Sequence, residues 1–415
     1  GLRARLLVDL GRAREVVDAA SAAPPIGTGL GVATWRLWIG YARMGVGQRD
    51  AAVRELDAAL QALGERDDAR AAGVRARADQ LLGNLAHDGG ELEAASLHWA
   101  SAAAGFVRAG EPLGGLALRG SLAGLAIVTF AGRPGIEHGR AAVRGLLARE
   151  QYDALATAAL NLAQLLARHG EVDELDVLAK TITSVLGPWA SPGARARVAR
   201  VLAESDGARC LSAAPTSTAW LDARRAFERS ARLLGAAELH AEAAEGHVRA
   251  AACARRHGRH DLAAVDLAAA GLEATRAGDD DPWRIAIEQA WIAIARRDRD
   301  RLQRWCEPAQ LDRIDAWVRS GQLERAWAVA RVVWGAASVR LPGEHPIRQR
   351  ALQQLRRVQE IIMDKTPSSD RTAVRTSLWA DGEREALREL LGDPVATSAR
   401  PVAAATPSAA PSTWS

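Results

Sequence analysis

Residues 81–112 read LLGNLAHDGGELEAASLHWASAAAGFVRAGEP, and this stretch decides the fold class. Ala and Leu, both strong helix formers, dominate it. Gly90 stands where the chain must reverse, since glycine takes a positive φ at no steric cost. Beyond it Ala95, Trp99 and Ala102 recur at i, i+4 and i+7, which is one face of a helix. Before it Leu82, Gly83 and Ala86 form the facing stripe of a first helix. Two antiparallel helices that cross closely need small side chains at the crossing. Gly83 and Ala95 supply them, and Trp99 fills the gap beside them.

The pattern recurs. Around Gly258 the text is AAACARRHGRHDLAAVDLAAAGLEA, with Ala251, Ala254, Ala263, Leu267 and Ala270 at the same offsets. Around Gly321 it is DAWVRSGQLERAWAVARVV, with Trp317 in the first helix and Ala326, Ala330 and Val333 in the second. Weaker copies surround Gly170, with Leu175 where Ala is usual, and Gly47, with Ala52 and Ala59. The stretch around Gly11 looks like the second half of a unit. The spacing of these glycines predicts units of roughly 35–45 residues, against about 34 for a standard helical hairpin repeat. The step from Gly258 to Gly321 fits neither one unit nor two.

At most signature positions, Leu82–Pro112 resembles the tetratricopeptide repeat, with Leu82-Gly83 where that family has Leu-Gly and Pro112 a few residues late for its closing Pro. The resemblance implies an all-α protein, a right-handed solenoid of about eight tandem antiparallel hairpins. It implies a groove lined by the first helix of each unit, which accepts an extended peptide or a partner helix. The stretch Ala223–Trp291, with RRHGR and GDDDPW, also resembles helical arms of large LuxR-type or AfsR-type transcription regulators and arms that precede caspase-like domains. It implies the alternative of a sensor or regulatory arm whose effector domain lies elsewhere, and a start at Gly1 rather than Met fits that.

Repeats are expected over 1–186 and 218–341. Between them, 187–217 reads as a Pro/Gly/Ser-marked break with a short helix, carrying Gly187-Pro188, Pro192 and Pro215. Further helices are predicted at about 112–131, 136–149 and 151–168. Asp281-Pro282 reads as a helix start, with Asp as N-cap and Pro at N1. C-terminal helices are expected over 342–392, at about 346–364 and 370–391, followed by a disordered Ala/Pro/Ser tail over 393–415.

Composition narrows the function classes. Lys and Arg number 54 against 50 Asp and Glu, a net charge of +4, and the two signs alternate as on solvated helix faces. No basic block resembles a nucleic-acid arm. Only Lys180 and Lys365 are lysines, a bias typical of GC-rich bacterial coding. Cys210, Cys253 and Cys306 are odd in number and far apart, which argues against a disulfide framework and for a reducing, cytoplasmic setting. No signal peptide is read. The longest apolar run, Leu116–Phe130, is interrupted by Arg119, Gly120 and Gly124, so no membrane span is expected. No phosphate loop, dinucleotide fingerprint, nucleophile elbow or H-E-x-x-H pair is present. We therefore expect a binding protein without catalytic, metal or cofactor residues.

Four groups admit both a functional and a structural reading. Cys253, His257 and His260 have helical spacing for a metal, but Cys253 in an Ala-rich helix reads as core. Asp279, Asp280 and Asp281 offer carboxylates to a hard cation, but helix capping explains them. The cluster Arg296, Arg297, Arg299, Arg301 and Arg304 suits phosphate or acidic peptide, but Asp298 and Asp300 interrupt it as on a solvated face. The tryptophan pairs Trp35/Trp38 and Trp327/Trp334 read as core between hairpins, with a groove-lining stripe as the alternative.

Overall fold

The computed structural model describes residues 2–23, 26–187, 190–211 and 217–366. The predicted helix at 370–391 and the tail lie outside these residues, as do Pro188 and Pro215. Among the described residues there are eighteen α-helices, one 3-10 turn and no strand. The helices are α1 (Leu2–Asp9), α2 (Ala13–Ala22), α3 (Leu30–Gly45), α4 (Arg49–Leu63), α5 (Ala69–Asp88), α6 (Leu92–Arg108), α7 (Pro112–Thr129), α8 (Gly132–Leu147) and α9 (Tyr152–His169). They continue as α10 (Val172–Val185), α11 (Pro192–Cys210), α12 (Ala219–Ala236), α13 (His240–Arg256), α14 (His260–Arg276), α15 (Trp283–Ala295), α16 (Pro308–Arg319), α17 (Leu323–Arg340) and α18 (Pro346–Lys365), with the 3-10 turn at Gln303–Cys306. The chain divides into two compact units, one up to Leu125 and one from Ala126. Within each, helices pack on their sequence neighbours, the arrangement of a helical-hairpin solenoid.

One turn repeats. Gly11, Gly47, Gly90, Gly170, Gly258 and Gly321 all have φ between +72° and +81°. Each closes a helix with a Schellman bond, as in Glu91 N–H to Ala86 C=O at 2.8 Å. The same turn occurs at Gly110, Phe130, Glu150, Glu238, Gly278 and Arg297. Positions 90, 110, 130, 150 and 170 are thus evenly spaced, one helix per step. The Gly258-to-Gly321 interval also resolves. It holds two further turns, at Gly278 and Arg297, and a longer insertion after the second. At ten junctions the next helix starts two residues after the left-handed residue.

The residue five positions after the turn is buried at the helix crossing. It is Ala52, Ala95, Ala243, Ala263 and Ala326 in five units. In two others it is Gly115 or Gly135, where an added Cβ would meet Ala103 C=O at 2.8 Å or overlap Ala126. Leu175 holds the place after Gly170 and is also fully buried. Ala59 faces the same core as Ala52, and Ala270 that of Ala263.

Helices two apart are clamped by arginine–carboxylate pairs. These are Arg140–Glu174 (α8 to α10), Arg197–Glu242 (α11 to α13), Arg224–Asp266 (α12 to α14), Arg255–Glu288 (α13 to α15) and Arg284–Glu324 (α15 to α17). Such pairs fix register more than they add stability.

Three expectations need correcting. Residues 187–217 contain α11, a 19-residue helix rather than a short one. It is buried on several faces, through Ala194, Val198, Arg200, Glu204 and Ser205, so it shows no amphipathic period to read. α15 begins at Trp283 with Pro282 before it, because the Asp281 carboxylate binds Arg325 and its N–H binds Asp279 Oδ1 at 3.1 Å. By length and mean hydropathy (1.3) α7 is able to cross a membrane, contrary to the sequence reading. Its Leu118, Leu122, Ala123 and Leu125 are buried, as in a core helix.

A non-glycine residue in the left-handed region costs about 1–2 kcal/mol, while glycine loses about 0.5–1 kcal/mol in chain entropy. Exposed Glu238 (φ +60°) is such a site. Glu238→Gly is expected to raise stability by up to about 1 kcal/mol in urea titrations; a loss of stability would contradict the turn.

Candidate functional site: a charged groove in the second unit

The signature residues of the sequence reading sit in the framework. Leu82, Gly83, Ala86, Ala95, Trp99, Ala102, Ala263, Ala270 and Ala326 are buried. A Cβ on Gly83 would overlap the Trp99 indole, whose N–H donates to Asn84 Oδ1 at 3.0 Å while His87 stacks on the ring. Gly90, Gly258 and Gly321 form turns. Trp317 is half-buried, with the Arg325 guanidinium 4.4 Å above its ring. Trp35 and Trp38 pack at the edge of a core cluster of the first unit; Trp327 and Trp334 are buried in one of the second.

The candidate site lies elsewhere. Alternate helices α9, α11, α13, α15 and α17 of the second unit turn one face each toward a groove of about 210 Å³. Its walls carry aromatic rings, including Phe227, Trp283, Trp291 and Trp327, among arginines and glutamates. Trp327 therefore belongs both to the core and to the groove.

Arg200 on α11 anchors the network. Its side chain is 1% exposed. It binds Glu204 at 2.9 Å and Glu245 at 3.5 Å, and lies 5.2 Å from the centre of Phe227. Glu245 on α13, 27% exposed, also accepts from Gln164 of α9 at 3.4 Å. Glu324 on α17 joins Arg168 of α9 at 2.8 Å and Arg284 of α15 at 2.9 Å. Arg168 also donates to the Ile127 carbonyl and covers the Phe130 ring at 4.6 Å. Thus side chains 156 positions apart in sequence meet in one cluster.

Burial alone would raise the Glu245 carboxyl, but Arg200, Arg284, Arg249 and Arg168 outweigh it and hold the pKa at about 2. Glu324 is lowered in the same way, burial opposing it and Arg284 and Arg168 prevailing. Burial would likewise lower Arg284, yet Glu324 and Glu245 raise it. Both carboxylates are ionised at neutral pH. The groove presents fixed charge of both signs beside apolar rings, which suits a ligand with its own amide and charged groups.

The cysteines take no part in this chemistry. Burial pushes the Cys253 thiol up to about 12, so it is protonated at neutral pH. Cys253 packs with Cys210, Trp220 and Phe227, and is not brought together with His257 and His260 as a ligand set. The carboxylate of Asp279 serves a local turn and that of Asp281 an ion pair. No group of three or more metal-ligating side chains forms among the described residues.

A solved structure of a Rap protein complexed with competence and sporulation factor superimposes with a TM-score of 0.57. The fold is a tetratricopeptide-like helical repeat. The match covers 88% of this chain and 98% of the Rap chain, at 10% sequence identity. No protein-family model matches the chain, and no curated protein matches it by sequence.

Lowering of a carboxylate pKa stabilises the fold above the unfolded value and is lost as pH falls through the folded one. For Glu245 that window runs from about 4.5 down to about 2. Glu245→Gln is therefore expected to be less stable than the parent at pH 7, with the gap closing across this window in urea titrations. A gap independent of pH would contradict the electrostatic assignment.

Proposed function

We propose that this chain is a binding protein rather than an enzyme, and that it holds an extended peptide or a partner helix in the groove of α9, α11, α13, α15 and α17. The observation that carries the reading is the groove itself. Five successive odd-numbered helices contribute to it, so it runs across the repeats as a track. Its lining pairs aromatic faces, which bind side chains, with ionised carboxylates and guanidiniums, which bind peptide amides and charges. The Rap protein of the same fold, solved complexed with competence and sporulation factor, supports a binding role. The protonated Cys253 and the pairing of the groove carboxylates with arginines fit binding better than catalysis. Three unpaired thiols fit a reducing, cytoplasmic setting.

The test is selection of peptides from a random phage-displayed library on the full chain. Affinities of enriched peptides are then read from tryptophan fluorescence, since Trp283, Trp291 and Trp327 line the groove. Arg249→Ala within the groove is expected to weaken them at least tenfold. Arg225→Ala, exposed on α12, is expected to leave them unchanged. Equal affinity for both variants, or no enrichment, would overturn the reading.

A further inference from the structure

After the left-handed residue Arg297 the 20-residue rhythm fails, and 298–307 are inserted before α16. A second pocket opens there, of about 770 Å³, between α14, the end of α15 and the 3-10 turn. That size is typical of a small-molecule site. Its buried surface is apolar: Leu267, Ala290, Ile292, Ala293 and Trp305. The exposed edge is charged, with Arg296, Arg301 and Arg304 against Asp300 and Glu307.

Arginine–carboxylate pairs clamp α12 to α14, α13 to α15 and α15 to α17, but among the described residues no such pair joins α14 to α16. Arg301 is engaged by Asp298 at 3.3 Å. Arg296 has no carboxylate partner among the described residues, and Arg304 lies over the Trp305 ring at 5.4 Å without one. Two polar atoms of the pocket wall, Trp305 Nε1 and His260 Nδ1, are buried without a hydrogen-bond partner.

We propose that this pocket binds a small organic anion with an apolar body, its carboxylate or phosphate head held by Arg296 and Arg304 and its body lying on Leu267, Ile292 and Trp305. The site is separate from the groove, so the two readings stand or fall independently. The arginine cluster visible in the sequence is then the rim of a binding site rather than a solvated face.

Calorimetric titration of the full chain tests this, with octanoate, octyl phosphate and 1-octanol as probes. One or both anions are expected to bind at least tenfold more tightly than the alcohol, and comparison of the two identifies the head group. R296E/R304E, altered at two exposed side chains, is expected to weaken the anion at least tenfold without changing the thermal melt. Ala268→Phe, from an exposed position at the mouth, is expected to block the pocket. Anion binding that survives both variants, no binding of either anion, or an alcohol as tight as the anions would overturn the proposal.

Discussion

The structure depends on one backbone constraint, a single left-handed residue at the end of twelve of the eighteen described helices. It reverses the chain within two residues, so the next helix must pack antiparallel on the last. Because the step is constant over several units, helices of the same parity return to equivalent positions. Small residues five places beyond seven of these turns then let backbones approach, as Ala95 does opposite Gly83 and Trp99. A Cβ at Gly135 or Gly115 would collide with the preceding helix, so the size limit is steric and local.

Function grows out of that parity. Once alternate helices share a face, charges placed on each accumulate along one groove. Arg168, Arg284 and Glu324 come from three helices and satisfy one another. Arg200 is almost fully buried, and such a cation is stable only with partners. Glu204, Glu245 and the Phe227 ring provide them. Removing one partner would leave an uncompensated buried charge, so the cluster is preorganised rather than adaptable. Rigid charges of known sign are what the proposed peptide track requires.

Much of the fold was legible in the sequence, and the reasons are specific. Turns at Gly47, Gly90, Gly170, Gly258 and Gly321 announce themselves because glycine favours positive φ. Those at Phe130, Glu150, Glu238 and Arg297 carry no such mark, since tertiary packing imposes the conformation on ordinary residues. With Gly278 and Arg297 both unread as turns, the interval between Gly258 and Gly321 looked irregular. α11 hid for a different reason: buried on most sides, it lacks the polar face that makes periodicity visible. A groove was implied by the repeat resemblance, but its lining residues were not legible. Its members are single charges in Ala-rich helices, from Arg168 to Arg331, and only the folded chain brings them together. The glycines and alanines of the repeat signature report framework, and the groove residues lie at other positions.

The Arg168–Glu324 contact tests this account most directly, because it joins α9 to α17 across 156 positions and exists only if the repeats stack as described. The measurement is a double-mutant cycle on the full chain, with Arg168→Ala, Glu324→Ala and the double variant unfolded in urea at low salt. The account predicts that the two substitutions are coupled by about 0.5–3 kcal/mol. Additive effects, within about 0.3 kcal/mol, would mean that the two side chains do not meet and that the groove is not built in this way.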